Sequence, residues 1–274
     1  MYLSSNKFSL KLEEATNRYK SRLVLALDYS EVFSRSERNL WNEKKEQLLK
    51  KSLRVIESVA KHLAAVKINM QLVLPLGLFD DLQEIVDRVE KYGLPLIADC
   101  KINDVGHTNQ WIAQHFFNAG FDAVIANPFV GWEDGLNKVF EEARRQDKGV
   151  ILLVYMSHPA AQEGYGQYVL TSKGRRVAQY IIFAEKALRW EADGVVVGAT
   201  RPKIVEEVKA ILRKKIPIFS PGIGIQGGKI EEVFKSGADY AIVGRTILNS
   251  PNPAETARKI KEMINNVVRL LGEK

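Results

Sequence analysis

Lysines and aspartates recur in this chain at the ends of apolar runs, where a purely structural core would avoid uncompensated charge. The densest case is Asp99, Lys101 and Asp104, spaced D-x-K-x-x-D immediately after the apolar stretch 94–98. Strand alternation puts Asp99 and Lys101 on one face and Cys100 on the other. Lys67 and Asp28 each close a further apolar run. Each residue alone has a plain structural reading. Asp104 suits a helix N-cap, Asp99 with Lys101 an ion pair, Lys67 a snorkelling edge residue and Asp28 a turn. Their joint occurrence favours a functional cluster, in which carboxylates keep a lysine ammonium charged and aimed as a general acid.

A second set of residues suits an anionic ligand. Ser220, Pro221, Gly222, Gly224, Gln226, Gly227 and Gly228 form a glycine-rich loop after one strand, and Gly244 with Arg245 follows the next. Such loops offer backbone N–H groups to a phosphate, and the Arg245 guanidinium adds a charge-assisted clamp. The same glycines would also serve a tight turn. After another apolar run stand Ser157 and His158. The four histidines form no H-x-x-x-H pair, and Ser157 has no evident histidine base, so we expect a polar ligand contact there, with no metal and no nucleophile. No nucleotide fingerprint or other cofactor motif is present, and no cofactor is expected.

To bring these groups together the chain must place strand ends side by side. Eight β-branched apolar runs are predicted as strands at 22–28, 63–69, 94–101, 122–127, 149–155, 193–198, 216–220 and 239–243. Between them lie segments of helical period, including 79–92, 108–119, 132–145, 174–190 and 201–213. Strict alternation demands a parallel sheet with crossovers, and eight units suit a closed (β/α)8 TIM barrel, an α/β fold whose chemistry sits at the strand C-termini. An open doubly wound sheet fits less well, because no G-x-G-x-x-G turn follows the first strand. We expect one barrel domain over 1–274, with 1–20 as an extra N-terminal helix and 253–271 as the closing helix. The connections 29–39 and 158–173 are long, and the second has the polar composition expected of a loop near a ligand.

Composition excludes several classes. The 274 residues are 46% hydrophobic and 27% charged, as in ordinary globular proteins. The net charge of +7 comes from lysine interleaved with glutamate on helical stretches, not from a basic stripe, so no nucleic-acid partner is expected. Runs such as 149–155 are far short of the ~18–20 residues that span a bilayer, and the charged segment from Lys7 to Lys20 is unlike a secretion signal. The single cysteine fits a reducing cytoplasm.

Across nearly its whole length the sequence resembles the orotidine 5′-phosphate decarboxylase family. The resemblance rests on the Asp99/Lys101/Asp104 spacing with Thr108, on the run Met156, Ser157, His158 and Pro159, on 197–200, and on the 220–228 and 243–245 segments. It implies cofactor-free decarboxylation of orotidine 5′-phosphate to UMP in pyrimidine biosynthesis. Lys67, Asp99, Lys101 and Asp104 would form the charged catalytic network, with Lys101 stabilising and protonating the carbanion. Asp28 and Lys67 would meet the ribose, Ser157 the pyrimidine, and Gln226 would bridge ring and phosphate. Gly244 and Arg245 would hold the phosphate under a loop containing Pro221. Asp104 and Thr108 would enter the partner's site in a homodimer. The chain departs from the family at Leu248, near the place of a phosphate-binding tyrosine, with Tyr165 or Tyr168 as substitutes. The alternatives are a magnesium-dependent sugar-phosphate lyase of related sequence and a catalytically silent phosphate-binding barrel.

Overall fold

The computed structural model describes residues 6–172, 174–213, 215–224 and 229–272. In chain order the strands are β1 (Leu23–Leu27), β2 (Ala65–Asn69), β3 (Leu96–Ile102), β4 (Ala123–Ala126), β5 (Gly149–Tyr155), β6 (Tyr168–Leu170), β7 (Arg176–Ala178), β8 (Gly194–Val197), β9 (Ile218–Pro221) and β10 (Tyr240–Val243). All but β6 and β7 close into a parallel barrel in the order β1-β10-β9-β8-β5-β4-β3-β2. Each of the eight lies within or close to a predicted run. β1, β4, β5, β8 and β10 are buried along their whole length, as both faces of a parallel sheet under helices must be.

The helices are α1 (Lys7–Tyr19), α2 (Trp41–Val59), α3 (Met70–Leu76), α4 (Leu82–Lys91), α5 (Gly106–Asn118), α6 (Asn137–Gln146), α7 (Ala161–Gly164), α8 (Gln179–Arg189), α9 (Pro202–Leu212), α10 (Ile230–Lys235), α11 (Arg245–Leu248) and α12 (Pro253–Gly272). Three predicted helices are shorter than their periodicity. The 174–190 segment opens with β7, which pairs antiparallel with β6, and only then becomes α8. The Arg176 guanidinium lies over the Tyr168 ring at 5.2 Å, so the hairpin has a cross-strand contact that a one-dimensional pattern hides. Residues 79–81 and 132–136 are irregular turns leading into α4 and α6.

The extra helix α1 closes the N-terminal end of the barrel. Asn6 caps it by accepting from Ser9 N, while its amide donates to Lys148 O at 2.9 Å and to Asp193 Oδ1 at 2.8 Å. Phe8, 1% exposed, packs where Gly149 has no side chain; a Cβ there would lie 2.4 Å from the ring. Three acids at this end tie neighbouring strands together. Asp122 accepts from Leu96 N at 2.8 Å, Asp193 from Val150 N at 2.7 Å and Asp239 from Ile218 N at 2.9 Å. Charge at the bottom of the barrel thus serves the fold and leaves the other end for chemistry.

Candidate active site

At the C-terminal ends of the strands is a cavity of about 210 Å³. Its wall includes Asp28 beyond β1, Lys67 and Asn69 of β2, and Asp99 and Lys101 of β3. Ser157 and His158 follow β5, Pro221 ends β9, and Gly244 and Arg245 follow β10. The barrel has therefore gathered residues from opposite ends of the sequence, because each follows or ends an apolar strand of similar length.

Asp99 is the centre of the charge pattern. Its Oδ2 accepts from Lys67 Nζ at 2.6 Å and its Oδ1 from Lys101 Nζ at 2.7 Å. Asp28 Oδ1 lies 3.5 Å from Lys67 Nζ. Two ammoniums thus alternate with two carboxylates, so the cluster is neutral overall. Burial alone would push Lys67 down, but the Asp99 and Asp28 carboxylates outweigh it and hold the lysine above its ordinary range. Burial opposes ionisation of Asp99 as well, and Lys67 and Lys101 together pull it below the usual carboxylate range. Both are therefore charged at neutral pH. Lys67 is 5% exposed, whereas the Lys101 side chain is 36% exposed and borders the cavity. Lys101 is the more accessible of the two ammoniums.

Lys101 does not reach this position by simple alternation. Its φ is +46°, in the left-handed region, and the pairing of β3 with β4 shifts register between Ala98 and Ile102. A non-glycine residue in this region stores local strain, which the surrounding barrel must hold. The shared face expected for Asp99 and Lys101 is thus produced by a bulge. Cys100, between them, has its thiol pushed up to about 12 by burial and by the Asp99 charge, which makes it a poor nucleophile.

The phosphate-type groups lie across the cavity. Gly244 brings the turn before α11 close to Asp28, since a Cβ there would stand 3.2 Å from Asp28 Oδ2. The Arg245 guanidinium is exposed and makes no ion pair with a described residue. Gln226 lies outside the described residues. Leu248 is buried and its carbonyl accepts from Tyr29 Oη at 3.3 Å, so it offers the cavity no hydroxyl. Neither Tyr165 nor Tyr168 is among the cavity-lining residues; Tyr165 Oη meets Asn127 Nδ2 at 3.3 Å and Tyr168 sits on the β6–β7 hairpin.

Ser157 is held by a close backbone approach. Thr200 Oγ1 donates to Ser157 O at 3.0 Å, and a Cβ on Gly198 would lie 2.7 Å from Ser157 Cα and 2.9 Å from Met156 O. Gly198→Ala must therefore move backbone. It is expected to cost about 1–3 kcal/mol of stability, visible as a lowered melting temperature, and to weaken ligand binding by displacing Ser157.

Asp104 and Thr108 are not brought into this cavity. Asp104 is exposed; its Oδ1 accepts from the adjacent Val105 N at 2.7 Å. The N-cap of α5 is Val105, without a side-chain cap, so the N-cap reading of Asp104 does not hold. Instead the buried Asn109 fixes the turn, accepting from Asp104 N at 2.9 Å and donating to Asp104 O. The Asp104 carboxylate is left to face outward. Residues that the sequence reading passed over are Asn69, Ile223 and Thr246, all lining the cavity. Asn69 could have been found from its position two residues beyond Lys67, on the same strand face. Among the described residues, no group of three or more histidine, cysteine, aspartate or glutamate side chains is arranged to hold a metal ion.

Residues 21–260 match the model of the Orotidine 5′-phosphate decarboxylase / HUMPS family. An orotidine 5′-phosphate decarboxylase of Thermococcus kodakarensis is 38% identical over 249 residues, covering 91% of this chain and 99% of that relative. Among solved structures, orotidine 5′-monophosphate decarboxylase of Methanocaldococcus jannaschii, complexed with the inhibitor BMP, superposes with a TM-score of 0.72 at 32% identity, covering 89% of this chain and 99% of the other. The orotidine 5′-phosphate decarboxylase of Pyrococcus horikoshii gives a TM-score of 0.68 at 35% identity, covering 88% and 98%.

Proposed function

The chain belongs to the Orotidine 5′-phosphate decarboxylase / HUMPS family, and from that premise we propose that its cavity takes orotidine 5′-phosphate, releases CO2 and yields UMP for pyrimidine biosynthesis. One observation carries the reading: the Lys67–Asp99–Lys101 chain of ion pairs, in which the last ammonium borders the cavity. Breaking the bond from ring carbon to carboxylate leaves the electron pair on that carbon, without a conjugated sink. A fixed ammonium beside it stabilises the developing charge, and its N–H proton then moves to the carbon. Lys101 takes both roles. Asp99 holds the ammonium in place, and Lys67 keeps Asp99 ionised. At the other end of the ligand, Gly244 and Arg245 hold the phosphate, with Ser157 meeting the ring and Asp28 and Lys67 the ribose.

Arg245→Ala is expected to raise KM for orotidine 5′-phosphate by roughly 10–100-fold, the equivalent of a charge-assisted hydrogen bond, with a smaller change in kcat. An unaltered KM in steady-state assays would remove Arg245 from the phosphate site.

A related magnesium-dependent sugar-phosphate lyase needs acids that are free to ligate. Here Asp99 is gripped at both oxygens by lysines, and the described acids form no metal-binding group, so these residues do not fit such a site. Turnover is accordingly expected to survive EDTA without measurable loss, and a chelator-sensitive, magnesium-restored activity would favour the lyase.

The working unit we infer is a homodimer in which Asp104 and Thr108 complete the partner's cavity. The exposed Asp104 carboxylate supports this, as do the exposed apolar side chains at its neighbour Val105 and along α5. Val105 is 61% exposed, and Trp111 and Phe79, both exposed, each pack against the His115 ring. An exposed aromatic patch beside a catalytic acid suits a second copy of the chain. No described helix is long and apolar enough to cross a membrane, and a cytoplasmic location agrees with the single unpaired thiol of Cys100.

A further inference from the structure

Asn69 ends β2 and stands at the N-cap position of α3, with extended backbone at φ −94° and ψ 158°. Asparagine is among the strongest N-cap residues, because its side-chain oxygen accepts from a first-turn N–H. Asn69 makes no such bond. The same residue type caps elsewhere in this protein: Asn6 accepts from Ser9 N, Asn127 from Phe129 N and Asn252 from Glu255 N. The Asn69 carboxamide also has no hydrogen bond to any other described residue, and it lines the cavity. A group so well suited to the backbone, yet not serving it, is available to a ligand.

Its place on the wall indicates which part of the ligand it meets. In the closed strand order, β1 and β2 lie between β10, whose following turn carries Gly244 and Arg245, and β3, which carries Lys101. Asn69 pairs by register with Asp99 and lies two residues beyond Lys67 on the same face. In a nucleotide the sugar joins the phosphate to the base, so the wall between the phosphate turn and Lys101 faces the sugar. The charged neighbours there pair with one another, Lys67 with Asp99 at 2.6 Å and with Asp28 at 3.5 Å, and each carries a single kind of hydrogen-bonding group. A carboxamide adds what they lack, a donor and an acceptor on one neutral side chain, which suits a hydroxyl.

We propose that Asn69 is a specificity-determining residue that hydrogen-bonds a ribose hydroxyl and so favours a substrate with an intact ribose over the analogue that lacks that hydroxyl. The inference rests on the decarboxylase reading above and adds a residue to it. The test is a cycle combining Asn69→Ala with removal of each hydroxyl, measuring kcat/KM for orotidine 5′-phosphate and for its 2′-deoxy and 3′-deoxy analogues. With the full substrate, Asn69→Ala is expected to lower kcat/KM by roughly tenfold, about one hydrogen bond. With one of the two analogues the loss should shrink to less than about twofold, because the partner hydroxyl is already gone. An equal loss on all three substrates, or no loss, overturns the proposal. Wild-type protein inactive on orotidine 5′-phosphate overturns the decarboxylase reading instead, so the two failures are distinct. Should Asn69→Ala not fold, Asn69→Leu, of similar size and without donor or acceptor, is judged by the same pattern.

Discussion

Lys101→Ala is expected to lower kcat for orotidine 5′-phosphate by about 10⁴-fold or more while the barrel stays folded. Two effects are lost together. Removing a preorganised charge partner from a developing anion costs about 10²–10³-fold, and removing the general acid about 10²–10⁴-fold. Because one side chain supplies both, the losses compound. The fold should tolerate the change, since Asp99 keeps its bond to Lys67 at 2.6 Å and the Lys101 side chain is already 36% exposed. The alanine also relieves none of the left-handed strain at this position, so any stabilisation should be small. Asp99→Ala is a poorer probe. It would leave Lys67, 5% exposed, without its closest counter-charge and cost about 3–5 kcal/mol, mixing instability with inactivity. The measurement is UMP formation under single-turnover conditions, beside a melting curve. A folded Lys101→Ala protein within tenfold of wild type would end the assignment.

Lys101→Arg separates the two effects. A guanidinium keeps the positive charge but does not release a proton at neutral pH. If the ammonium acts only through its field, arginine should recover much of the rate; if it also donates the proton, the variant should remain severely impaired. The second result is the one expected here.

The parts of this site that could be read from the sequence are those where charge interrupts an apolar run. Asp28, Lys67 and Asp99 announce themselves in this way, because parallel barrel strands are otherwise continuous hydrophobic stretches. Strand ends were legible for the same reason, and so was the barrel. Lys101 was found for a reason only partly right: period-two alternation placed it beside Asp99, whereas a bulge and a left-handed backbone do so in the structure. Asn69 was missed because an amide carries no charge to draw the eye. The β6–β7 hairpin was split, β6 falling in the expected connection 158–173 and β7 in the expected helix 174–190, since three-residue strands leave too little periodicity to register. Asp122, Asp193 and Asp239 show the limit of the charge rule. They also flank apolar runs, and only the direction of the strand distinguishes a structural clamp at the start from a cavity-lining charge at the end.

Asp104 offers a test of a kind that no single-chain property can supply. In a dimer whose sites are shared, each cavity takes Lys101 from one subunit and Asp104 from the other. Asp104→Ala is expected to lose about 10²–10⁴-fold in kcat, as for a catalytic acid–base group, without unfolding the turn. Asn109, at 0% exposure, continues to bond both the N–H and the carbonyl of residue 104. Lys101→Ala and Asp104→Ala, each nearly inactive alone, should then complement when co-expressed. A mixed dimer has one cavity with both defects and one with neither, because the intact lysine of the second variant meets the intact aspartate of the first. Random pairing makes half of the dimers mixed, so about a quarter of all sites should be intact under two-fold symmetry. Recovery to roughly a quarter of wild-type activity is the expected result. Mixed dimers isolated by two different affinity tags and found as inactive as their parents would mean that Asp104 acts within its own chain or not at all. The outward carboxylate would then be an ordinary solvated acid, and the exposed face around Trp111 would have lost its argument for a second copy.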